Sequence, residues 1–272
     1  MSRKTRFVIG GFGNVGQQLA SAVLADTSGH LEIAAISGTN LDLAKDRAKK
    51  LGLEVPVIQV HEAFQHANVL VEASTYEGFR DVVEPAINAG MHIIALSVGA
   101  LCVNLDLIDL ADKQGATLQI ASGTLPGLDI VRAAREGEIE SVKLESQILP
   151  GSLVHESYIA ENGIDLEAAK SGPLHIFSGT AREAARLFPR HFNVAVSLSL
   201  AGIGLDKTQV QIHANGTLRG CEHIIKVKAN TVELEMKSNN LPSPENNRTS
   251  RVVALSVLAA LRELSAPLRI GS

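Results

Sequence analysis

RFVIGGFGNVG, residues 6–16, decides the fold of this chain. A short apolar run ends in a GxGxxG turn at residues 11–16, and the stretch that follows, QQLASAVLAD, has apolar residues at helical spacing. Strand, glycine turn and helix in this order are the context that a dinucleotide-binding motif requires. The glycines let the backbone approach a pyrophosphate closely, and the helix N-terminus supplies free N–H donors. The motif predicts a dinucleotide-binding domain at the start of the chain.

The alternation of strands and helices continues to about residue 122. After the first strand, the predicted strands are 31–37, 68–74, 91–97 and 117–122, and the predicted helices between them are 41–52, 76–90 and 104–115. This order indicates βαβ units and a parallel sheet, in which ligands bind at the carboxyl ends of the strands. Small and polar residues are expected at that edge. The predicted cofactor-binding residues are Gly11, Phe12, Gly13, Asn14, Val15, Gly16, Ser37, Ala73, Ser74, Ser97, Val98 and Gly99.

The choice between NAD and NADP depends on the end of the second strand. The acidic residue that would hold a ribose 2′-hydroxyl is missing, and Ser37-Gly38-Thr39-Asn40 occupies its place. A 2′-phosphate would not be repelled there, although no arginine follows immediately; Lys45 and Arg47 come later in the predicted helix. The sequence predicts NAD or NADP as cofactor, with NADP or dual use favoured over strict NAD.

The second half of the chain has a different pattern. A long extended stretch at 139–149 and a helix at 179–189 precede an apolar segment at 192–204 that is typical of a buried helix. Three alternating runs follow, TQVQIHA, CEHIIKV and TVELEMK, and they predict an antiparallel sheet with one apolar face.

The fold class is therefore α/β, with a Rossmann-type parallel sheet domain and a second α+β domain whose sheet is mixed or antiparallel. The first domain is expected at 1–122 and the second at 123–247. The apolar C-terminal segment 248–272 predicts a helix that packs back on the first domain.

Composition excludes several function classes. A net charge of −4 and the lack of a Lys/Arg cluster give no reason to expect nucleic-acid binding. Cys102 and Cys221 lie far apart and show no metal-binding spacing, so we expect no metal and a reducing compartment. The N-terminus leads straight into a strand, and no apolar run is long enough to span a bilayer. We expect a cytoplasmic protein without membrane contact.

Five further motifs carry a resemblance to a known family. They are SVGAL (97–101), ASGTLPGLDIVRAA (121–134), GTAREAARLFPRHFNVAVSLSLAGIGLDKTQV (179–210), EHIIKV (222–227) and NNLPSPENNRTSRVVALSVLAAL (239–261). Together with the glycine turn, they resemble the L-aspartate dehydrogenase family. The resemblance implies NAD(P)-dependent oxidation of an amino acid to its imine, which water hydrolyses to the 2-oxo acid and ammonia; the reverse direction is reductive amination.

The resemblance also implies roles for three residues of the second domain. His223 matches the family's active-site residue, and Asn193 and Thr124 match positions that contact the cofactor. An imidazole titrates near neutrality, so it can take a proton from attacking water or bind a substrate carboxylate as a donor. From the residues alone, His223 is also compatible with a structural core histidine, and Asn193 with a helix cap.

Two departures from the family pattern bear on the substrate. His191 replaces a usual asparagine and either lines the pocket or caps a helix. Ile148 and Leu149 stand where the family usually has two cations. Without those charge-assisted bonds, each worth roughly 1.5–3 kcal/mol, binding of a dicarboxylate would weaken and a less acidic substrate would be favoured. If the cations lie outside the pocket, the change is neutral.

Two alternatives to an aspartate dehydrogenase stay open at this point. One is an imine or carbonyl reductase that acts on a different, less acidic small substrate. The other is a non-catalytic NAD(P)-binding sensor, which would need neither His223 nor Asn193. The expected partner is a small amino-acid substrate, and a homodimer is the expected assembly.

Overall fold

The computed structural model describes residues 4–189, 191–243 and 250–271, and the chain divides into two compact units. The first unit comprises Met1–Gly123 and Val253–Ile270. The second comprises Thr124–Val252 and Gly271–Ser272. The chain therefore leaves the first unit at Gly123 and returns to it for most of the last helix.

The first unit is built on a six-stranded parallel sheet. Its strands are β1 (Thr5–Gly10), β2 (Leu31–Ser37), β3 (Val57–Ile58), β4 (Val69–Glu72), β5 (His92–Ala95) and β6 (Thr117–Ile120). Its first four helices are α1 (Asn14–Leu24), α2 (Leu41–Lys50), α3 (Phe79–Asn88) and α4 (Asp106–Gln114), with 3₁₀ helices at Val60–Gln65 and Val98–Val103. The strand order is β3-β2-β1-β4-β5-β6, and every pairing is parallel. The Rossmann-type sheet predicted from the sequence is confirmed.

The central strands of this sheet are buried on both faces. Consecutive residues such as Leu70 and Val71 of β4, or Ile93 and Ile94 of β5, have no exposed surface. Continuous apolar runs, rather than alternating ones, are what a parallel sheet covered on both sides requires. Strand order reverses between β1 and β4, and this is the place where such sheets bind ligands.

The second unit contains a five-stranded sheet with short helices. Its strands are β7 (Ile139–Ile148), β8 (Pro173–Thr180), β9 (Gln209–Asn215), β10 (Cys221–Ala229) and β11 (Glu233–Asn240). Its helices are α5 (Leu128–Arg135), α6 (Pro150–Leu153), α7 (Ser157–Glu161), α8 (Ala181–Leu187) and α9 (Asn193–Ala201), with a 3₁₀ helix at Leu166–Ser171.

This second sheet is mixed, with the order β11-β10-β7-β9-β8. Of the predicted alternatives, mixed or antiparallel, the mixed sheet is the one observed. The runs CEHIIKV and TVELEMK pair antiparallel as expected, whereas TQVQIHA pairs with neither of them. The long strand β7 lies between β10 and β9, antiparallel to the first and parallel to the second. Strand β8 is an addition to the predicted elements; it ends at Thr180, whose side chain also caps α8 in a capping box with Glu183.

One face of the second sheet is covered and the other is open. Side chains on the covered face of β7 and β10, such as Val142 and Ile225, are fully buried. A Cβ on Gly202, the C-cap residue of α9, would contact Val142 of β7 and Val131 of α5. Helices α5 and α9 therefore cover this face of the sheet. The opposite face carries charged side chains, among them Lys226, which is about half exposed. His223 shares the covered face with Ile225, two positions along the strand.

The C-terminal helix α10 (Arg251–Ser265) contributes to the core of the first unit. Ala254, Val257 and Leu261 are buried in the same apolar cluster as Phe7 and Ile9 of β1. The helix is shorter than the predicted 248–272: it ends at Ser265, while residues 248, 249 and 272 lie outside the described residues. No helix in the described part of the chain is long and apolar enough to cross a membrane.

Candidate active site

The glycine turn of the first unit has little room beneath it and open space above it. Gly11 has φ +111°, and a Cβ there would lie 2.5 Å from the carbonyl oxygen of Ala73. A Cβ on Gly16 would lie 2.3 Å from the carbonyl oxygen of Gly11. A Cβ on Gly13 would meet nothing within 4 Å. The first and third glycines are therefore needed for packing, whereas the second leaves a free surface over the turn.

The residues at this turn fit the pyrophosphate of a dinucleotide. Helix α1 begins at Asn14, and its N-cap residue, Gly13, has no side chain to satisfy the first backbone N–H groups. Among the residues that the structure describes, Nδ2 of Asn14 is the one buried side-chain polar atom without a hydrogen-bond partner. An unpaired buried donor is costly, and an anion above the helix N-terminus would satisfy it.

The other predicted cofactor residues of the first unit gather at the same edge of the sheet. The backbone N–H of Gly11 donates to the carbonyl oxygen of Ser37, at the end of β2 (3.0 Å). A Cβ on Gly11 would face Ala73 and Ser74, just after β4. Ser97 donates through its hydroxyl to the carbonyl oxygen of Ser74 (2.9 Å). The glycine turn and the ends of β2, β4 and β5 thus form one continuous rim.

Two side chains, those of Asn40 and Arg47, connect this rim with α2. Asn40, in the position after Ser37-Gly38-Thr39, accepts from the N–H of Leu43 and caps α2. Nη1 of Arg47 donates to the carbonyl oxygen of Phe12 at 3.0 Å, so this guanidinium lies at the glycine turn although it comes well after Ser37 in the sequence. The sequence contains this arginine, but only the path of α2 brings it to the turn.

His223 lies on β10 in the second sheet and is only 4% exposed. Its Nδ1 is 2.9 Å from the hydroxyl oxygen of Ser146, which β7 places directly opposite it in antiparallel register. Its Nε2 is 3.8 Å from Sγ of Cys221 on the same strand. Burial lowers the pKa of His223 to about 4, against an ordinary value of 6.5. The imidazole is neutral at pH 7, which differs from the titration near neutrality expected from the residue type.

The row of polar side chains around His223 extends to the next strand. On β11, Ser238 lies opposite His223, and its hydroxyl donates to the carbonyl oxygen of Thr124 (3.2 Å). Asn240 donates in turn to the Ser238 hydroxyl at 3.0 Å. Sequence reasoning missed Ser146 and Ser238 as site residues, because only the pairing of strands distant in sequence places them beside His223. The alternation of side chains on each strand was the available signal.

The remaining residues predicted for the site lie in the second unit around the starts of α6 and α9. Asn193 is the first residue of α9 and Phe192 is its N-cap residue, so Asn193 is not the N-cap. Nε2 of His191 lies 3.2 Å from a carboxylate oxygen of the buried Glu156. The sequence predicts that His191 either lines the pocket or caps the helix. Its contact with Glu156 gives it a third role, as the partner of a buried carboxylate.

Ile148 and Leu149 occupy different environments. Ile148 is the last residue of β7, is 6% exposed, and shares the covered face with Ser146. Leu149 is half-buried and is the N-cap residue of α6, with Pro150 as the first helical residue. The covered face next to Ser146 is therefore apolar at position 148, and neither position supplies a cation.

Both halves of the chain match models of known dehydrogenase families. The model "Homoserine dehydrogenase, NAD binding domain" matches residues 11–121, and "Aspartate dehydrogenase, C-terminal" matches residues 129–264. Among the curated relatives, L-aspartate dehydrogenase from Bradyrhizobium diazoefficiens is 39% identical over 100% of this chain and 95% of its own length. L-aspartate dehydrogenase 3 from Bordetella bronchiseptica is 38% identical over 97% of this chain and 96% of its own length.

A solved structure agrees at the level of the fold. Aspartate dehydrogenase from Thermotoga maritima is similar with a TM-score of 0.72 and 21% identity, covering 99% of this chain and 100% of that one. The predicted resemblance is confirmed, and the chain belongs to the aspartate dehydrogenase family.

Proposed function

We propose that this chain catalyses the reversible NAD(P)-dependent oxidative deamination of L-aspartate. L-Aspartate, NAD(P)⁺ and water would give oxaloacetate, ammonium, NAD(P)H and a proton. The observation that carries the proposal is that the whole chain, from the glycine turn to the last helix, matches proteins named L-aspartate dehydrogenase at 38% and 39% identity. The open surface over Gly13 and the unpaired Nδ2 of Asn14 support a dinucleotide at the turn.

The cofactor supplies the acceptor for the hydride that leaves Cα of the amino acid. In the proposed site, the backbone at Gly11–Gly16 holds its pyrophosphate. The rim formed by Ser37, Ala73–Ser74 and Ser97–Gly99 holds the rest of it in the first unit. Asn193 is proposed as a further cofactor contact from the second unit and lies within the matched region 129–264. Thr124 lies outside both matched regions and is proposed on the resemblance of the segment ASGTLPGLDIVRAA.

We propose His223 as the residue that handles the proton of the hydrolytic step. After hydride loss, a water molecule attacks the imine carbon and must release a proton. Burial lowers the pKa of His223 to about 4, so the imidazole has an unprotonated nitrogen at pH 7 that can take the proton as water attacks. The same low pKa makes it a weaker base than an exposed histidine, so it holds the proton only transiently. In the tautomer in which Nδ1–H donates to Ser146, Nε2 is the nitrogen that receives the proton, and Sγ of Cys221 lies 3.8 Å from it. A purely structural histidine, which deep burial alone would also fit, predicts that its replacement changes stability and not turnover.

The substrate is where the chain departs from its family pattern. The apolar Ile148 on the covered face next to Ser146 supports the second candidate, a reductase or dehydrogenase for a less acidic small acid. Aspartate is favoured over it because both curated relatives above carry that name at nearly full length. A sensor without catalysis is disfavoured, since both His223 and Asn193 are retained.

We further propose that the protein works in the cytoplasm and as a homodimer. Cys102 and Cys221 form no disulfide within the described residues, which suits a reducing compartment. Val252 and Leu255 are 40% and 52% exposed and lie three positions apart on α10, so they offer one apolar patch that a second copy would cover. Analytical ultracentrifugation of the purified protein tests the pairing.

A panel of amino acids tests the proposed function. The protein is mixed with NAD⁺ or NADP⁺ and each L-amino acid, and the absorbance of the reduced nicotinamide is followed. Turnover with aspartate well above all other amino acids is the expected result. Turnover with less acidic amino acids instead would assign specificity to Ile148 and Leu149. Cofactor binding without turnover in either direction would leave the sensor.

The role of His223 is tested by His223→Gln, with His213→Gln as the matched control. His213 is on strand β9, opposite Gln147 of β7, and does not share the covered face. We expect His223→Gln to lower turnover by about 10²-fold or more with cofactor affinity nearly unchanged. Unchanged turnover with lowered stability, or an equal loss of turnover and cofactor affinity, in His223→Gln would show that the histidine is structural.

A further inference from the structure

The carboxylate of Glu72 joins the ends of two neighbouring strands in the first unit. Glu72 is the last residue of β4 and has no exposed surface. In the parallel register it lies beside Gly10 of β1 on one side and Ala95 of β5 on the other. A buried glutamate at a strand end is most simply a packing residue, but its contacts show a more specific arrangement.

Both carboxylate oxygens of Glu72 accept two hydrogen bonds each. Oε1 accepts from the backbone N–H and the hydroxyl of Ser74, at 2.8 and 2.6 Å. Oε2 accepts from the backbone N–H groups of Leu96 and Ser97, at 3.0 and 2.8 Å. All four donors are neutral, and three of them are backbone groups. An ionised carboxyl group is acceptor-only, so this set of donors matches it fully.

These bonds fix the two loops that form half of the cofactor rim. The Ser97 hydroxyl donates back to the carbonyl oxygen of Ser74, which closes a ring of bonds between the loop after β4 and the loop after β5. On its other side, the loop after β4 is held by the backbone N–H of Ala73, which donates to the carbonyl oxygen of Gly10 (2.9 Å). Strand order reverses beside this loop, so the dinucleotide must pass over it.

We propose that Glu72 is a positioning residue for the nicotinamide half of the cofactor. It does not contact the reacting atoms. It holds the loops 73–75 and 97–99 at the separation that the ribose and ring require. The glycine turn, which holds the adenine half, packs against Ala73 through Gly11 but receives no hydrogen bond from Glu72. This inference rests on the proposed NAD(P) site but not on the identity of the amino-acid substrate.

The test compares Glu72→Gln with Glu84→Gln, using the intact protein. Glu84 is a partly exposed glutamate of α3 in the same unit, paired with Arg80, so its replacement makes the same chemical change away from the rim. In Glu72→Gln, the new amide group places a donor where two N–H groups need an acceptor. NADH affinity is measured by fluorescence and ADP affinity by calorimetry, since ADP reports on the glycine turn alone.

We expect Glu72→Gln to weaken NADH binding roughly tenfold or more, equivalent to about 1.4 kcal/mol, with ADP binding unchanged. The KM for the cofactor should rise while the KM for the amino acid stays the same. Glu84→Gln should change none of these values. Equal weakening of ADP and NADH binding, or no change in either, would overturn the proposal.

Amide hydrogen exchange in the wild-type protein gives a second test that does not depend on the variant's folding. The amides of Ser74, Leu96 and Ser97 should exchange slowly without ligand. NADH should slow their exchange further, whereas ADP should leave it unchanged. Fast exchange without ligand, or equal slowing by ADP, would contradict the assignment. If the protein binds NADH yet oxidises no amino acid, the proposed function fails while these binding and exchange results still decide the role of Glu72.

Discussion

The hydroxyl oxygen of Ser146 lies 2.9 Å from Nδ1 of His223, and both side chains are buried. The pair follows from the antiparallel register of β7 and β10, which places the two residues directly opposite each other. The hydroxyl of Ser146 can donate or accept, so this bond fixes the orientation of the ring. When Nδ1 carries the hydrogen and donates to Ser146, Nε2 is the nitrogen that can accept a proton. Ser146 thus orients the residue that we propose as the proton acceptor.

Ser146→Ala should lower kcat about tenfold and leave the affinity for NADH unchanged, because the imidazole loses its orienting bond but remains in place. Ser141→Ala is the matched control: Ser141 is on the same strand, and its side chain points to the open face. Steady-state kinetics across pH would check this, and Ser146→Thr should restore most of the rate because it restores the hydroxyl. Unchanged kcat in Ser146→Ala would exclude the orienting role.

The buried imidazole also makes stability depend on pH. The pKa of His223 is about 4 in the folded protein and near 6.5 when the chain is unfolded, so between these values the unfolded chain binds more protons. The stability that this residue contributes is complete above pH 6.5 and is lost as pH falls toward 4. Between pH 7 and pH 5 the expected loss is about 2 kcal/mol.

Urea unfolding of the wild type and of His223→Gln at pH 7 and pH 5 measures this contribution. Other titrating groups are common to both proteins, so the difference between the two pH dependences isolates His223. The wild type should lose about 2 kcal/mol more than the variant over this interval. Parallel curves would show that the imidazole is not held neutral.

Gly13→Ala separates packing from ligand binding at the glycine turn. A Cβ at this position meets no protein atom within 4 Å, so the variant should be as stable as the wild type. If a dinucleotide occupies the space above the turn, the added methyl group should weaken NADH binding about tenfold. Gly151→Ala is the control, because a Cβ there is equally free of contacts and lies in the second unit. Unchanged NADH affinity in Gly13→Ala would place the cofactor elsewhere.

Arg47→Gln tests the preference between the two cofactors. Its guanidinium contacts the glycine turn, close to the position where an acidic residue would exclude NADP. NADP binding should weaken about tenfold and NAD binding much less, since only NADP carries the 2′-phosphate. Lys45→Gln is the control, because Lys45 is exposed and paired with Asp42 at 3.2 Å. Equal loss for both cofactors would assign Arg47 to holding the turn.

The parts of the fold that depend on local pattern could be predicted from the sequence. The glycine turn, the parallel strands of the first unit and the capping box at Thr180 all follow from residue spacing. The neighbours of β7 could not be predicted, because strand pairing is set by tertiary packing. Strand β8 could not be predicted for a local reason: PLHIFSGT lies directly before a helix signal and shows no strict alternation.

In the candidate site, too, the residues that belong to local motifs could be predicted, and those that depend on strand pairing could not. His223 and the rim residues could be named from motifs and resemblance. Glu72 could not be recognised as a positioning residue, because two of its donors are backbone N–H groups of Leu96 and Ser97, which follow the next strand of the sheet. Ser146 was hidden in the same way, since its partner is 77 positions away.

The most direct test of the proposed reaction uses L-aspartate with deuterium at Cα. The protein is incubated with this substrate and NAD⁺ or NADP⁺, and the reduced cofactor is analysed by mass spectrometry and NMR. Our account predicts one deuterium at C4 of the nicotinamide for each oxaloacetate and ammonium formed. Reduced cofactor without deuterium, or no oxaloacetate at all while the cofactor remains bound, would contradict it.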